Sequence, residues 1–308
     1  MNVIECEHLT RKFGRIRAVD NLNLGVPKGC VFALLGPNGA GKSTTLKLLL
    51  NLLRPTAGRA TVLGCETTRF KKDQFQRIGY VAEEQIQADW MTVSQMLDFY
   101  RPLYSGWDAT LESRLRAQYE LPEGQQLKRM SRGTRMKAIL LSTLCFRPEL
   151  LLLDEPFGGL DPQVRDDLIE GLLETLSGDR PATVVISSHD ISEVERLADW
   201  VGILSEGRLL VAEPMTQLQA RFRRIEVVGP GVGEKRIDPL PQSWLKFQSP
   251  TPTVVQFIHQ AFGEAGVAEA QIREFYPQAA VSASPMTLRE IFLAHGRRAI
   301  PSKGEEAQ

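Results

Sequence analysis

The segment Gly36-Pro-Asn-Gly39-Ala-Gly41-Lys42-Ser43, followed by Thr44, carries the first residues with a definite chemistry. Its spacing is GxxxxGK[ST], in which the glycines let the backbone fold tightly and turn N–H groups inward on a chain of phosphates. A helix starting here adds the partial positive charge of its N-terminus. Lys42 then reaches the β- and γ-phosphates, and the Ser43 hydroxyl is a ligand for Mg²⁺. A second constellation is Leu150-Leu-Leu-Leu-Asp154-Glu155-Pro156, an apolar strand that ends in two acids. Asp154 can bind Mg²⁺ directly or through water, and Glu155 can polarise a water for attack on a γ-phosphate.

These groups need a scaffold that brings strand ends together. Val31–Leu35 is a short continuous apolar run, the pattern of a buried parallel strand, and Ser43 to Leu53 reads as the helix after the glycine loop. A helical stretch follows. Thr92-Val-Ser-Gln95 has capping-box spacing, Asp108 caps a second helix through Tyr119, and Ser131 caps a third that ends before Pro148. Alternation then resumes with a strand at Leu150–Leu153, a helix from Asp161-Pro162 through Leu176, and a strand at Thr183–Ser187. Asp190 with Glu193 starts another helix, and a hairpin turns at Glu206-Gly207. The fold class is therefore α/β.

Beyond residue 220 the texture changes, and eight of the 18 prolines lie there. Strand-like pieces at Arg224–Val228, Trp244–Phe247 and Thr253–Ile258 precede Thr287-Leu-Arg-Glu290, a second capping box that opens an amphipathic helix through Ala294. Leu288, Ile291 and Phe292 fall on one face of that helix. The polar tail Arg297 to Gln308 is expected to fray.

Taken in order, the pieces resemble an ATP-binding-cassette (ABC) ATPase. Met130-Ser131-Arg132-Gly133-Thr134 stands where the family has its LSGGQ signature, Gly159-Leu160-Asp161 matches the D-loop, and Ser187-Ser-His189-Asp190 matches the switch histidine. The resemblance covers residues 1–220 and implies a RecA-like P-loop NTPase fold with a helical subdomain inserted at about 86–146. Residues 221–308 are left as a small C-terminal α/β appendage. It further implies a head-to-tail dimer in which ATP lies between the phosphate loop of one subunit and the signature of the other. Ser131 as an N-cap points N–H groups and helix dipole at the γ-phosphate from the far side, and Gly133 permits close approach. His189 would hold the γ-phosphate and attacking water. Phe13 stands where the family places the aromatic that stacks on adenine.

Two segments depart from the family pattern. In the signature, Arg132 replaces a glycine and Thr134 a glutamine, so a cation stands near the partner's nucleotide, to contact phosphate or ribose or to point to solvent. At the Q-loop, Ile78-Gly-Tyr-Val81 leads into Ala82-Glu83-Glu84-Gln85, where relatives read Pro-Gln. Glu83 takes the glutamine's place without a gap and would then ligate Mg²⁺; Gln85 takes it if the loop is shifted by two.

Composition narrows the class. Among 308 residues, 37 Lys and Arg balance 37 Asp and Glu, so net charge is zero and general coating of nucleic acid is disfavoured. The four cysteines, Cys6, Cys30, Cys65 and Cys145, lack metal-ligand spacing and read as reduced structural thiols. His259 and His295 lack metal partners. No apolar h-region opens the chain and no uncharged stretch approaches ~20 residues, so neither signal peptide nor membrane span is expected. Thr287-Leu-Arg-Glu-Ile-Phe-Leu293 resembles the C-terminal segment of export-type ABC ATPases, those paired with ABC-2-like permeases. That resemblance implies an ATPase subunit on the cytoplasmic face of the cell membrane, acting as a homo- or heterodimer on a separate permease. Trp90, Met91 and Tyr100 are candidates for the permease-docking groove. A soluble ABC ATPase of DNA repair or translation is the alternative; repair forms carry long coiled coils and translation forms usually two cassettes, neither of which is present. A non-hydrolysing scaffold is disfavoured by Asp154, Glu155 and His189.

Overall fold

The computed structural model describes residues 1–83, 88–176, 181–263 and 265–295. The chain divides into two compact units, Met1–Ala212 and Glu213–Gln308.

The first unit holds two sheets. One is antiparallel, ordered β2-β1-β4-β5, from β1 (Asn2–Phe13), β2 (Ile16–Pro27), β4 (Ala57–Val62) and β5 (Cys65–Glu66). The other has six strands in the order β10-β9-β3-β8-β7-β6: β3 (Val31–Leu35), β6 (Ile78–Val81), β7 (Leu150–Asp154), β8 (Thr183–Ser188), β9 (Trp200–Ser205) and β10 (Arg208–Pro214). Strands β9, β3, β8, β7 and β6 run parallel. β3 and β7 are buried along their whole length, as expected of apolar strands covered on both faces. Between the sheets, Ile4, Leu22 and Val62 of the first meet Leu34, Leu152 and Val185 of the second in one cluster with Leu46 and Leu49 of α1 (Lys42–Leu49). Each such buried leucine or isoleucine stabilises the fold by roughly 1.5–3 kcal/mol.

α1 stops before the expected Leu53, because Asn51 turns left-handed at φ +55°. The first 27 residues, which carry no strand in the sequence reading, form the hairpin β1–β2. After α2 (Lys72–Phe75) the helices α3 (Val93–Tyr100), α4 (Ala109–Gln118) and α5 (Arg132–Leu144) lie between β6 and β7. Their caps are the expected ones: Thr92 with Gln95, Asp108 accepting from Leu111 N at 2.8 Å, and Ser131 accepting from Thr134 N at 3.1 Å. α6 (Pro162–Leu176) follows β7, and α7 (Ile191–Val194) is a single turn.

The second unit contains α8 (Met215–Arg221) and an antiparallel sheet ordered β12-β13-β11-β14, from β11 (Arg223–Val228), β12 (Trp244–Thr251), β13 (Val254–His259) and β14 (Ala280–Pro285). Ile225, Val255 and Phe257 of the sheet cluster with Ala268, Ile272 and Tyr276 of α9 (Ala265–Phe275), and Trp244 stacks on Phe257 at 4.0 Å. α10 (Leu288–His295) begins at the Thr287–Glu290 capping box, buries Leu288 and Ile291, and pairs Glu290 with Arg224 at 2.6 Å. The tail from Arg297 lies outside the described residues.

Candidate active site

Parallel pairing brings the chemistry to one sheet edge. Leu35, the last residue before the phosphate loop, pairs with Ser188, and Asp154 pairs with Ser187. Val81 pairs with Leu153, so Glu83 leaves β6 at this same edge and is exposed. In open parallel sheets, ligands collect beyond the carboxyl ends of the strands.

The phosphate loop spans Gly36 to Thr44, through Pro37, Asn38, Gly39 and Ala40. Its shape requires glycine at position 41, where φ is +102° and a Cβ would collide with the Ala18 carbonyl oxygen. Gly36 N donates to Ser188 O at 3.3 Å, which ties the loop to the end of β8.

Lys42 is buried, with Nζ donating to Gly36 O at 2.7 Å and Pro37 O at 3.3 Å, and lying 3.0 Å from Glu155 Oε1. A buried ammonium needs partners of this kind, since leaving it unpaired is costly. Ser43 Oγ donates to Asp154 Oδ1 at 2.9 Å, and Ser187 Oγ donates to the same oxygen at 2.6 Å. Glu155 is buried at φ +48°, a left-handed backbone rare for a side chain of this size. Its N–H donates to Ser187 O at 3.1 Å, and its Oε2 lies 2.8 Å from Nδ1 of the half-exposed His189. Strained backbone of this type clusters at functional positions.

Lys42, Ser43, Asp154, Glu155 and His189 therefore stand in one hydrogen-bonded cluster. Ser187 joins it as a partner of Asp154, a role that a Ser-Ser pair at the end of an apolar strand could have signalled. Among the described residues, Phe13, Glu83, Ser131–Thr134 and Asp161 make no hydrogen bond or ion pair with the cluster. Phe13 closes β1, is 44% exposed, and has the Arg11 guanidinium 4.6 Å from its ring centre. Asp161 precedes α6, its carbonyl accepting from Arg165 N at 3.0 Å. Gln85 lies outside the described residues.

The signature segment packs on its own chain. Gly133 is buried against α6, where an added Cβ would stand 2.9 Å from Val164 Cγ1. Arg132 is exposed and lies over the D-loop glycines, with Nη1 3.3 Å from where a Cβ of Gly159 would be. Gly159 itself has φ +68°.

Among the described residues, Tyr100 and Trp90 line different depressions. Tyr100 lines a depression of about 200 Å³ with Leu50, Leu52, Phe75, Tyr104 and Phe146. Trp90, 60% exposed, lines another of about 520 Å³ with Gln95, Gly124 and Arg129. Asp190 and Glu193 stand at the start of α7 as read, and Glu193 is buried and accepts from Ser188.

The family profile described as "ABC transporter" matches residues 19–158. The bacitracin transport ATP-binding protein BcrA of Bacillus licheniformis is 33% identical over 229 residues, which cover 72% of this chain and 73% of that protein. The chain belongs to the ABC transporter ATPase family. A fluoroquinolones export ATP-binding protein of Mycobacterium tuberculosis is 35% identical over 238 residues, 75% of this ABC ATPase and 78% of that protein. Among solved structures, the ATP-binding subunit of an ABC transporter superposes with TM-score 0.64 at 24% identity, covering 71% of this chain and 92% of the other. An ATP-binding cassette solved as a dimer with ADP and Pi superposes with TM-score 0.61 at 23% identity, covering 69% and 98%. These likenesses establish the cassette fold. Among the described residues, no helix is long and apolar enough to cross a membrane.

Proposed function

We propose that this ABC ATPase is the ATP-binding and hydrolysing subunit of an exporter, closing as a head-to-tail dimer on ATP and reopening on hydrolysis to drive a separate permease. The observation that carries this reading is the Glu155 carboxylate, held with one oxygen 3.0 Å from Lys42 Nζ and the other 2.8 Å from His189 Nδ1. Lys42 and the loop N–H groups bind the β- and γ-phosphates. Glu155 takes the proton of the attacking water, and His189 orients that water and the γ-phosphate. Phe13 stacks on adenine. Ser131, Arg132, Gly133 and Thr134 meet the partner's nucleotide, and Asp161 reaches across the dimer. Export is supported by the likeness to the bacitracin transport and fluoroquinolones export ATP-binding proteins.

The residues suit Mg²⁺. Ser43 Oγ and Asp154 Oδ1 are hard oxygen donors within one hydrogen bond of each other, and Mg²⁺ typically takes one or two protein oxygens and completes its shell with substrate phosphates and water. Ser43 and Asp154 would hold the ion, with Glu83 as the sensing ligand; when bound, it neutralises charge on the phosphates. Glu83 then couples hydrolysis to transport. The groove of Tyr100, Leu52 and Phe75 is the apolar surface for a short permease helix.

The test is co-expression with an ABC-2-like polytopic permease. A detergent-stable complex with permease-dependent ATPase activity is expected. Purification as a fully active soluble ATPase that binds no membrane protein would contradict export.

A further inference from the structure

Glu193 is a buried acid, 4% exposed, to which the chemistry above gives no role. Ser188 Oγ donates to its Oε2 at 2.8 Å. Ser188 immediately precedes His189, and its hydroxyl also accepts from Asp190 N at 3.0 Å, so it braces the backbone on both sides of the histidine. The Ser188 carbonyl in turn receives Gly36 N of the phosphate loop. The other oxygen of Glu193, Oε1, lies 3.9 Å from Arg165 Nη2. Arg165 belongs to the first turn of α6, and its N–H closes that turn on the carbonyl of Asp161. One carboxylate thus stands between the switch-histidine segment and the D-loop helix.

Burying an acid is unfavourable unless partners compensate. Here burial pushes the Glu193 carboxyl above the usual range despite the Ser188 hydrogen bond. A cap for the single turn of α7 would need no such burial.

We propose that Glu193 is a positioning residue for ATP hydrolysis: its carboxylate holds the His189 segment and the D-loop helix in one fixed relation, so that His189 meets Glu155 and the γ-phosphate in register. This rests on the roles of Glu155 and His189 given above. Misplacement of reacting groups by about 1 Å can cost ~10²-fold in rate.

The experiment compares E193Q, E193A, S188A, the E193A/S188A pair and H189A in the full chain. It measures kcat at saturating Mg-ATP and the Kd of a fluorescent ATP analogue. E193A and S188A are expected to lower kcat at least ~10-fold with nucleotide affinity within about twofold of wild type. The pair should be no slower than its slower member, because both substitutions break one link. E193Q, which keeps an acceptor for Ser188 and the shape of the side chain, should fall between wild type and E193A. Wild-type kcat in E193Q and E193A, parallel loss of affinity and kcat, or additive losses in the pair would each overturn the proposal. If H189A is inactive while the Glu193 variants run at full rate, the positioning role fails alone. If H189A itself turns over at the wild-type rate, the histidine's assigned role fails and the proposal with it.

Discussion

His189 Nδ1 lies 2.8 Å from Glu155 Oε2, joining a half-exposed imidazole to a buried carboxylate. The other oxygen of that carboxylate faces Lys42, so Lys42, Glu155 and His189 form a single row. Removing the open end of the row leaves the phosphate loop and its bonds in place. His189→Ala is therefore expected to bind ATP within about threefold of wild type and to lose ~10²-fold or more in steady-state phosphate release. Equal loss in Kd and kcat would show that His189 serves binding only.

The Q-loop gives a second expectation. Glu83 leaves the sheet edge beside Asp154, two residues after Val81. Glu83→Gln and Gln85→Ala are compared for ATPase activity with the permease present. Glu83→Gln should alter the Mg²⁺ requirement and the coupling of hydrolysis to transport, and Gln85→Ala should leave both near wild type. Uncoupling by Gln85→Ala alone reverses the assignment.

The cysteines give a third. Burial pushes the thiols of Cys6 and Cys145 up to about 12, and burial, followed by the charge of Asp199, pushes Cys30 up to about 11. At pH 8 their thiolate fractions are roughly 10⁻³ or lower, and the thiolate is the reactive form. Titration with a disulfide reagent should modify only the partly exposed Cys65 in the folded chain and all four cysteines after denaturation. Rapid native modification of the other three would contradict their burial.

Much of the site was legible because its signals are local. A glycine-rich loop, an apolar strand ending in Asp-Glu and the caps at Thr92, Asp108 and Ser131 each act within a few residues, and the structure places them as read. The β1–β2 hairpin was not legible. Register shifts at Cys6–Leu9 and Leu9–Arg11 break the two-residue alternation, and His8 sits at φ +50°, so buried Ile4, Cys6 and Leu9 do not fall on a regular period. β14 is an edge strand that stays largely exposed, so it carries no apolar stripe to read. Glu193 and Ser187 escaped because their partners are long-range or follow from strand register. Asp190 and Glu193 have the spacing of a helix start, and that local signal does not show the glutamate turned inward onto Ser188, with Arg165 of α6 3.9 Å away.

Glu193 also gives a stability signature. Its folded pKa lies above the ordinary glutamate value, chiefly through burial, with Asp190 and Glu155 adding to the shift and Ser188 and Arg165 opposing it. Below the ordinary value both folded and unfolded chains hold the proton. As pH rises from there towards the raised value the unfolded chain ionises first, and stability falls. Glu193→Gln should therefore melt above wild type at about pH 7.5, with the gap closing near pH 4. A gap independent of pH would show that the acid is not the source.

Glu155→Gln tests the central claim most directly. The amide fills the same space between Lys42 and His189 but cannot accept a proton as the carboxylate does. With Mg-ATP the variant is expected to bind nucleotide near wild-type affinity, to release phosphate ~10²- to 10⁴-fold more slowly, and to sediment as an ATP-bound dimer. Phosphate release at the wild-type rate would contradict the assignment of Glu155 as the base.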